Sequence, residues 1–68
     1  MSTATYTVTG MTCGHCVSSV TEEVEQIAGV TGVDVDLPTG RVTVTSDAPI
    51  ADGLIKDAVE EAGYKLTS

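Results

Sequence analysis

The period of the apolar residues changes at Gly10, and that change limits what the chain can become. Over residues 3–9 (TATYTVT), Tyr6 and Val8 alternate with threonines, the two-residue repeat of a half-buried strand. From about residue 14 the repeat lengthens. Val17, Val20, Val24 and Ile27 stand at i, i+3, i+7 and i+10, one stripe of a helix. Ser18, Ser19, Glu22, Glu23 and Glu25 cover the rest of its surface, and Gly29 is expected to end it at once.

Alternation then returns. Val33, Val35 and Leu37 alternate with Asp34 and Asp36, and Val42 and Val44 point inward within residues 41–45. Leu37-Pro38-Thr39-Gly40 lies between them, with proline and glycine at the corners of a tight turn, so the two runs read as a hairpin. Asp47-Ala48-Pro49 predicts the start of a second helix. This helix would bury Ile50, Leu54, Ile55, Ala58, Val59 and Ala62, with Gly53 weakening it by up to ~1 kcal/mol relative to alanine. Gly63 closes it, and residues 64–67 form a short last strand.

The order β-α-β-β-α-β, with right-handed crossovers, predicts an α+β, ferredoxin-like βαββαβ sandwich. It has one four-stranded antiparallel sheet and two helices on one face. Chain direction then places the loop at 10–14, the hairpin tip at 37–40 and the loop at 63–64 at one end. Tyr64 should therefore neighbour the first loop.

The 68 residues read as a single domain, 1–68, and a chain this short buries only ~60% of its unfolded surface. Its core must come from small aliphatics, because Trp and Phe are absent. Ten carboxylates face only Arg41, Lys56 and Lys65, giving a net charge of −7. Such a chain repels phosphate backbones and anionic headgroups, which argues against nucleic acid and direct membrane binding. No secretory leader precedes the first strand, and no apolar run approaches the ~20 residues of a membrane helix. The expected setting is cytoplasmic, where both cysteines stay reduced.

Those two cysteines, the only histidine and one of the two methionines fall within GMTCGHCV, residues 10–17. Cys13 ends the loop and Cys16 lies in the first helical turn, where free N–H groups and the positive dipole end favour thiolate. A structural Zn²⁺ wants four ligands, and Mg²⁺ and Ca²⁺ want oxygen cages. Two thiolates suit Cu(I) in a near-linear arrangement that stays open to a third sulfur. The other chemistry open to C-x-x-C is thiol–disulfide exchange, although no proline is placed to face the thiols as in thioredoxin-like proteins.

G-M-T-C-G-H-C, in a βαββαβ chain of this length closing with Gly63-Tyr64, resembles the heavy-metal-associated domain family, and within it the bacterial CopZ-type copper chaperones. The resemblance implies that Cys13 and Cys16 ligate Cu(I). It implies transfer by ligand exchange to a copper-transporting P-type ATPase; delivery to a copper-responsive repressor and plain buffering stay open as alternatives. The implied state is a monomer when apo, with a Cu-bridged dimer as the loaded alternative, and a carrier and not an enzyme. An N-terminal metal-binding domain of such an ATPase has the same chemistry; Met1 and the missing linker favour a free-standing protein. Thr12 replaces the acidic residue that zinc- and cadmium-type relatives often carry before the first cysteine.

The neighbours of the cysteines have plainer readings as well. Gly14 and His15 separate the thiols; His15 is a third ligand or an exposed side chain that tunes charge. Met11 is a thioether ligand or, more simply, a residue packed inward to pin the loop. Tyr64 shields the metal loop, starts the last strand, or does both. Neither cysteine is expected to pack the core. The glutamates and aspartates of the helices are solvated faces that would also steer a basic partner.

Overall fold

The computed structural model describes residues 1–12 and 14–67. Its elements are β1 (Ser2–Thr9), α1 (Gly14–Glu25), β2 (Val30–Asp36), β3 (Arg41–Ser46), α2 (Asp52–Glu61) and β4 (Lys65–Leu66). The strands lie in the order β2-β3-β1-β4, every neighbouring pair antiparallel. This is the ferredoxin-like arrangement that the periods predict.

Register explains the core. Tyr6 stands opposite Val42, which stands opposite Val35, and one step on Val44 stands opposite Val33. Successive side chains alternate faces, so these residues share one side of the sheet. The other side carries Thr3 opposite Thr45 and Thr5 opposite Thr43. Onto the apolar side pack Val20 and Val24 of α1 and Ile55, Ala58 and Val59 of α2, forming one cluster with Tyr6, Val8, Val42 and Val44. Each fully buried Val or Ile contributes about 1.5–3 kcal/mol relative to exposure. With Tyr6 as the aromatic in this cluster and no Phe or Trp in the chain, the core depends on many such small contributions.

Both helix boundaries differ from expectation. α1 ends at Glu25, although the apolar stripe continues to Ile27. The amides of Gln26 and Ile27 donate to the carbonyls of Glu23 and Val24, three residues back, so the last turn tightens and leaves the helix. Ile27 still packs against the core. β2 consequently starts early, at Val30, which pairs with Ser46 across an irregularity at Gly32.

α2 starts at Asp52 and not near Asp47. The Asp47 amide donates to the Gly29 carbonyl (2.9 Å), and the Ser46 hydroxyl donates to the Ala48 carbonyl (2.6 Å). Pro49 also disfavours helical geometry at Ala48. The segment 47–51 is therefore held outside the helix, and extended Ala51 (φ −63°, ψ 136°) takes the N-cap. Leu54, expected in the core, is 50% exposed. The late start also leaves Asp52 where the Tyr6 hydroxyl donates to its carboxylate (2.9 Å). β4 is only Lys65–Leu66, so Tyr64 precedes the strand.

The hairpin tip is clamped to β1. The Val8 amide donates to the Gly40 carbonyl at 2.8 Å, and the Gly40 amide donates to the Asp36 carbonyl at 2.8 Å. Gly40 has φ +72°, and a Cβ there would lie 2.5 Å from the Val8 carbonyl oxygen. Gly53, by contrast, has open space around its missing Cβ. Gly40→Ala should cost about 2 kcal/mol or more, through left-handed strain and collision with backbone, lowering Tm by roughly 10 °C. Gly53→Ala should instead add about 0.5–1 kcal/mol. Urea and thermal unfolding of the two variants check both signs.

Burial first, and then the hydrogen bond and charge of Asp52, raise the Tyr6 phenol above its ordinary value of 10.0. The unfolded chain then ionises Tyr6 first. The stabilisation is complete below pH 10 and is lost as pH climbs through the raised folded value. Tyr6→Phe should cost about 1 kcal/mol at neutral pH and remove part of the alkaline loss. Urea midpoints followed from neutral pH to beyond 10 for both proteins test this.

Candidate metal centre

β1 delivers the chain into the loop through Gly10, whose φ is +94°. Pairing of Val8 with Leu66 and Thr9 with Lys65 brings the start of β4 alongside. Tyr64 follows from this: a Cβ at Gly10 would stand 3.3 Å from Cδ1 of its ring. Tyr64 is half-buried and packs against the core, while its amide donates to the Val59 carbonyl at 3.1 Å, tying it to the end of α2. The aromatic ring thus covers the junction between β1 and the loop, fifty-four positions away in the chain.

Met11 turns toward the core and packs against it. Thr12 is exposed, yet its amide donates to the Cys16 Sγ at 3.4 Å, and its hydroxyl lies 3.9 Å from the same sulfur. Cys13 lies outside the described residues. Gly14 and His15 are exposed at the start of α1, and Cys16, two residues on, is only 7% exposed. Cys16 is thus more enclosed than expected of a thiol irrelevant to packing, although it is not part of the main apolar cluster. The helix phase explains this: Cys16, Val20 and Val24 lie at i, i+4 and i+8, on the face that α1 turns inward.

The first turn of α1 contains no acidic residue, so no carboxylate of that turn competes for its N-terminal amides. Among the described residues, no three of His, Cys, Asp and Glu come together in a group able to hold a metal. The described donor at this end is the soft sulfur of Cys16, with His15 beside it in the chain. Glu22, Glu25, Asp57, Glu60 and Glu61 are exposed on the two helices. Among the described residues, no helix is long and apolar enough to cross a membrane.

A contact at this site that sequence reading did not supply is the bond from the Thr12 amide to Cys16. Its signal was the four-residue spacing, but the distance depends on how the loop folds back on the helix. At the opposite end, a cavity of about 260 Å³ lies between the start of β1 and the start of α2, lined by Ala4, Tyr6, Val44, Ile50, Asp52 and Ile55 among others. It contains no soft donor and is separate from the cysteine loop.

Comparison with known proteins agrees with this geometry. The heavy-metal-associated domain profile matches residues 5–65. The chain is 45% identical over 67 residues to the copper chaperone CopZ of Staphylococcus aureus, covering 97% of this chain and 98% of that one. A solved CopZ metallochaperone superposes with a TM-score of 0.91 at 42% identity, covering 97% of this chain and all 100% of its own. A copper binding domain from HMA7, a P-type ATPase, superposes at 0.89 with 32% identity, over 98% of this chain and 92% of that domain. This chain belongs to the heavy-metal-associated domain family.

Proposed function

We propose that this protein is a cytoplasmic copper carrier, a single heavy-metal-associated unit spanning 1–68, with Cu(I) as cargo between the thiolates of Cys13 and Cys16. The observation that carries the reading is the setting of Cys16. It sits in the first turn of a helix, enclosed on its inner side, and its sulfur accepts the Thr12 amide hydrogen. Such a setting holds a thiolate in place without giving it an acidic neighbour. The relatives named as copper chaperones support copper as the ion.

Transfer proceeds by ligand exchange. An acceptor thiolate bonds to the two-coordinate ion, a three-coordinate intermediate forms, one donor bond breaks, the acceptor's second thiolate bonds, and the remaining donor bond then breaks. Copper stays in the +1 state throughout, so the protein acts as a carrier and not an enzyme. The acceptor we favour is the metal-binding domain of a copper-transporting P-type ATPase, since a copper binding domain of one such ATPase shares this fold. A copper-responsive repressor is a second acceptor of the same chemistry. In the apo state the chain is a monomer, and a Cu-bridged dimer is the alternative loaded state to one Cu(I) per chain.

An anaerobic Cu(I) titration against a chromophoric chelator, repeated with Zn(II), tests the reading. The expected result is one Cu(I) per chain, held far more tightly than zinc. Cys16→Ser should lower Cu(I) affinity by at least about a thousandfold, about 4 kcal/mol. Because Cys16 is enclosed, the same variant should also lose about 1 kcal/mol of stability, so unfolding is measured beside binding. Undiminished affinity in Cys16→Ser would overturn the bis-thiolate site. Weak copper binding with ready cycling of the thiols to a disulfide would overturn the carrier and leave a redox protein.

A further inference from the structure

The fold gives two reasons for a glycine, and Gly14 has neither. Its backbone is not among the positive-φ positions, which are Gly10, Gly29, Gly40 and Gly63. Beyond its chain neighbours and its own helical turn, a Cβ built on it meets no described atom within 4 Å. Gly10, at the other side of the same loop, is the opposite case: φ is +94° and the Tyr64 ring stands 3.3 Å from the missing Cβ. Alanine at position 14 would fit the backbone and favour the helix more than glycine does. Gly53 also has neither reason, so what sets Gly14 apart is its exposed position between the two cysteines.

The surroundings indicate what that position serves. Cys16 is enclosed by its own helix face, Thr12 occupies one side of its sulfur, and Met11 and Tyr64 pack against the core. The exposed residues between the two cysteines are Gly14 and His15. A histidine can rotate aside about its side-chain bonds. A branched side chain on the backbone of position 14 could not.

We propose that Gly14 is kept bare for the acceptor: its missing side chain is the clearance through which a partner's thiolate and the backbone carrying it reach the metal. The proposal rests on the carrier reading above. In the step concerned, the acceptor thiol gives its proton to solvent and its sulfur bonds to Cu(I). As the bond from one donor sulfur breaks, the acceptor's second thiol loses its proton and its sulfur bonds to Cu(I). The other donor bond then breaks, and the two released thiolates take up two protons. No electron is exchanged. Gly14 touches none of these atoms; it determines how closely a protein-sized acceptor approaches.

The test uses the full chain as donor and a second copy as acceptor. Cu(I) self-exchange is measured by NMR exchange spectroscopy on half-loaded protein, for the wild type, Gly14→Ala, Gly14→Val and the remote control Gly53→Ala. Unfolding midpoints and chelator-competition affinities are measured on the same samples. Gly14→Val should keep Cu(I) affinity within about threefold. It should slow self-exchange by about tenfold or more, while extraction of Cu(I) by the small thiol glutathione stays near the wild-type rate. Gly14→Ala should show a smaller slowing with an unchanged or higher unfolding midpoint, and Gly53→Ala should exchange as the wild type does. Wild-type self-exchange in Gly14→Val overturns the proposal. So does a slowing accompanied by equal loss of affinity or stability, which would make Gly14 a structural residue. Failure of the wild type to hold Cu(I) overturns the carrier reading itself, and the proposal with it.

Discussion

One backbone hydrogen bond joins the parts of the molecule that the loop depends on: the Val8 amide to the Gly40 carbonyl, 2.8 Å. Val8 is 3% exposed within the apolar cluster and stands opposite Leu66 of β4. A single residue thus holds the hairpin tip, the last strand and the core together, two positions before the chain leaves the sheet at Gly10. β1 is an inner strand, paired with β3 on one side and β4 on the other, so the strand end that carries the loop is held from both sides. In a domain with no Phe or Trp, hydrophobic bulk alone would fix that end poorly. Close backbone packing, such as Gly40 against the Val8 carbonyl, supplies what large side chains would supply elsewhere.

Charge is distributed to suit the same end. The chain carries −7 overall, yet residues 10–16 contain no carboxylate, lysine or arginine. Near the cysteines the electrostatics are therefore those of the helix: the amides of the first turn of α1, unopposed by an acid in that turn. A bis-thiolate Cu(I) complex has a net charge of about −1, which such a helix end favours by about 0.3–1 kcal/mol. The exposed acids of both helices lie farther along and repel acidic macromolecules while attracting basic ones. On the carrier reading, the bulk of the surface selects the partner and the loop selects the ion.

Much of this was legible in the chain, for reasons that differ by element. The strands were readable because Tyr6/Val8, Val33/Val35 and Val42/Val44 alternate with polar residues that cannot be buried. From strand order alone, Tyr64 could be placed beside the cysteine loop. The helix boundaries were not readable. Ile27 continues the apolar stripe of α1, but amides bonding three residues back end the helix at Glu25. Asp47-Ala48-Pro49 carries the signals of a helix start, but a bond from Asp47 to the Gly29 carbonyl, set by the fold, holds it elsewhere. That displacement also exposes Leu54 and places Asp52 against Tyr6, a pair 46 residues apart. At the site, the motif revealed the donor types but not the burial of Cys16, which depends on the phase of α1 against the sheet.

The two glycines of the loop separate what the fold needs from what the chemistry needs. Gly10 faces inward: its left-handed backbone and the Tyr64 ring leave no room for a side chain, and they fix the angle at which the loop leaves β1. Gly14 faces outward, where no described part of the chain approaches. Between them the Thr12 amide holds the Cys16 sulfur against the helix start. A carrier must combine two demands that usually conflict, holding an ion tightly and releasing it quickly. On the carrier reading, the contacts of Met11, Tyr64 and Cys16 with the core side serve the first demand. The exposed Gly14 and His15 leave open the approach of an acceptor sulfur, which serves the second. On that reading, release requires no part of the core to unfold, and the approach of the partner, more than the stability of the domain, sets the rate.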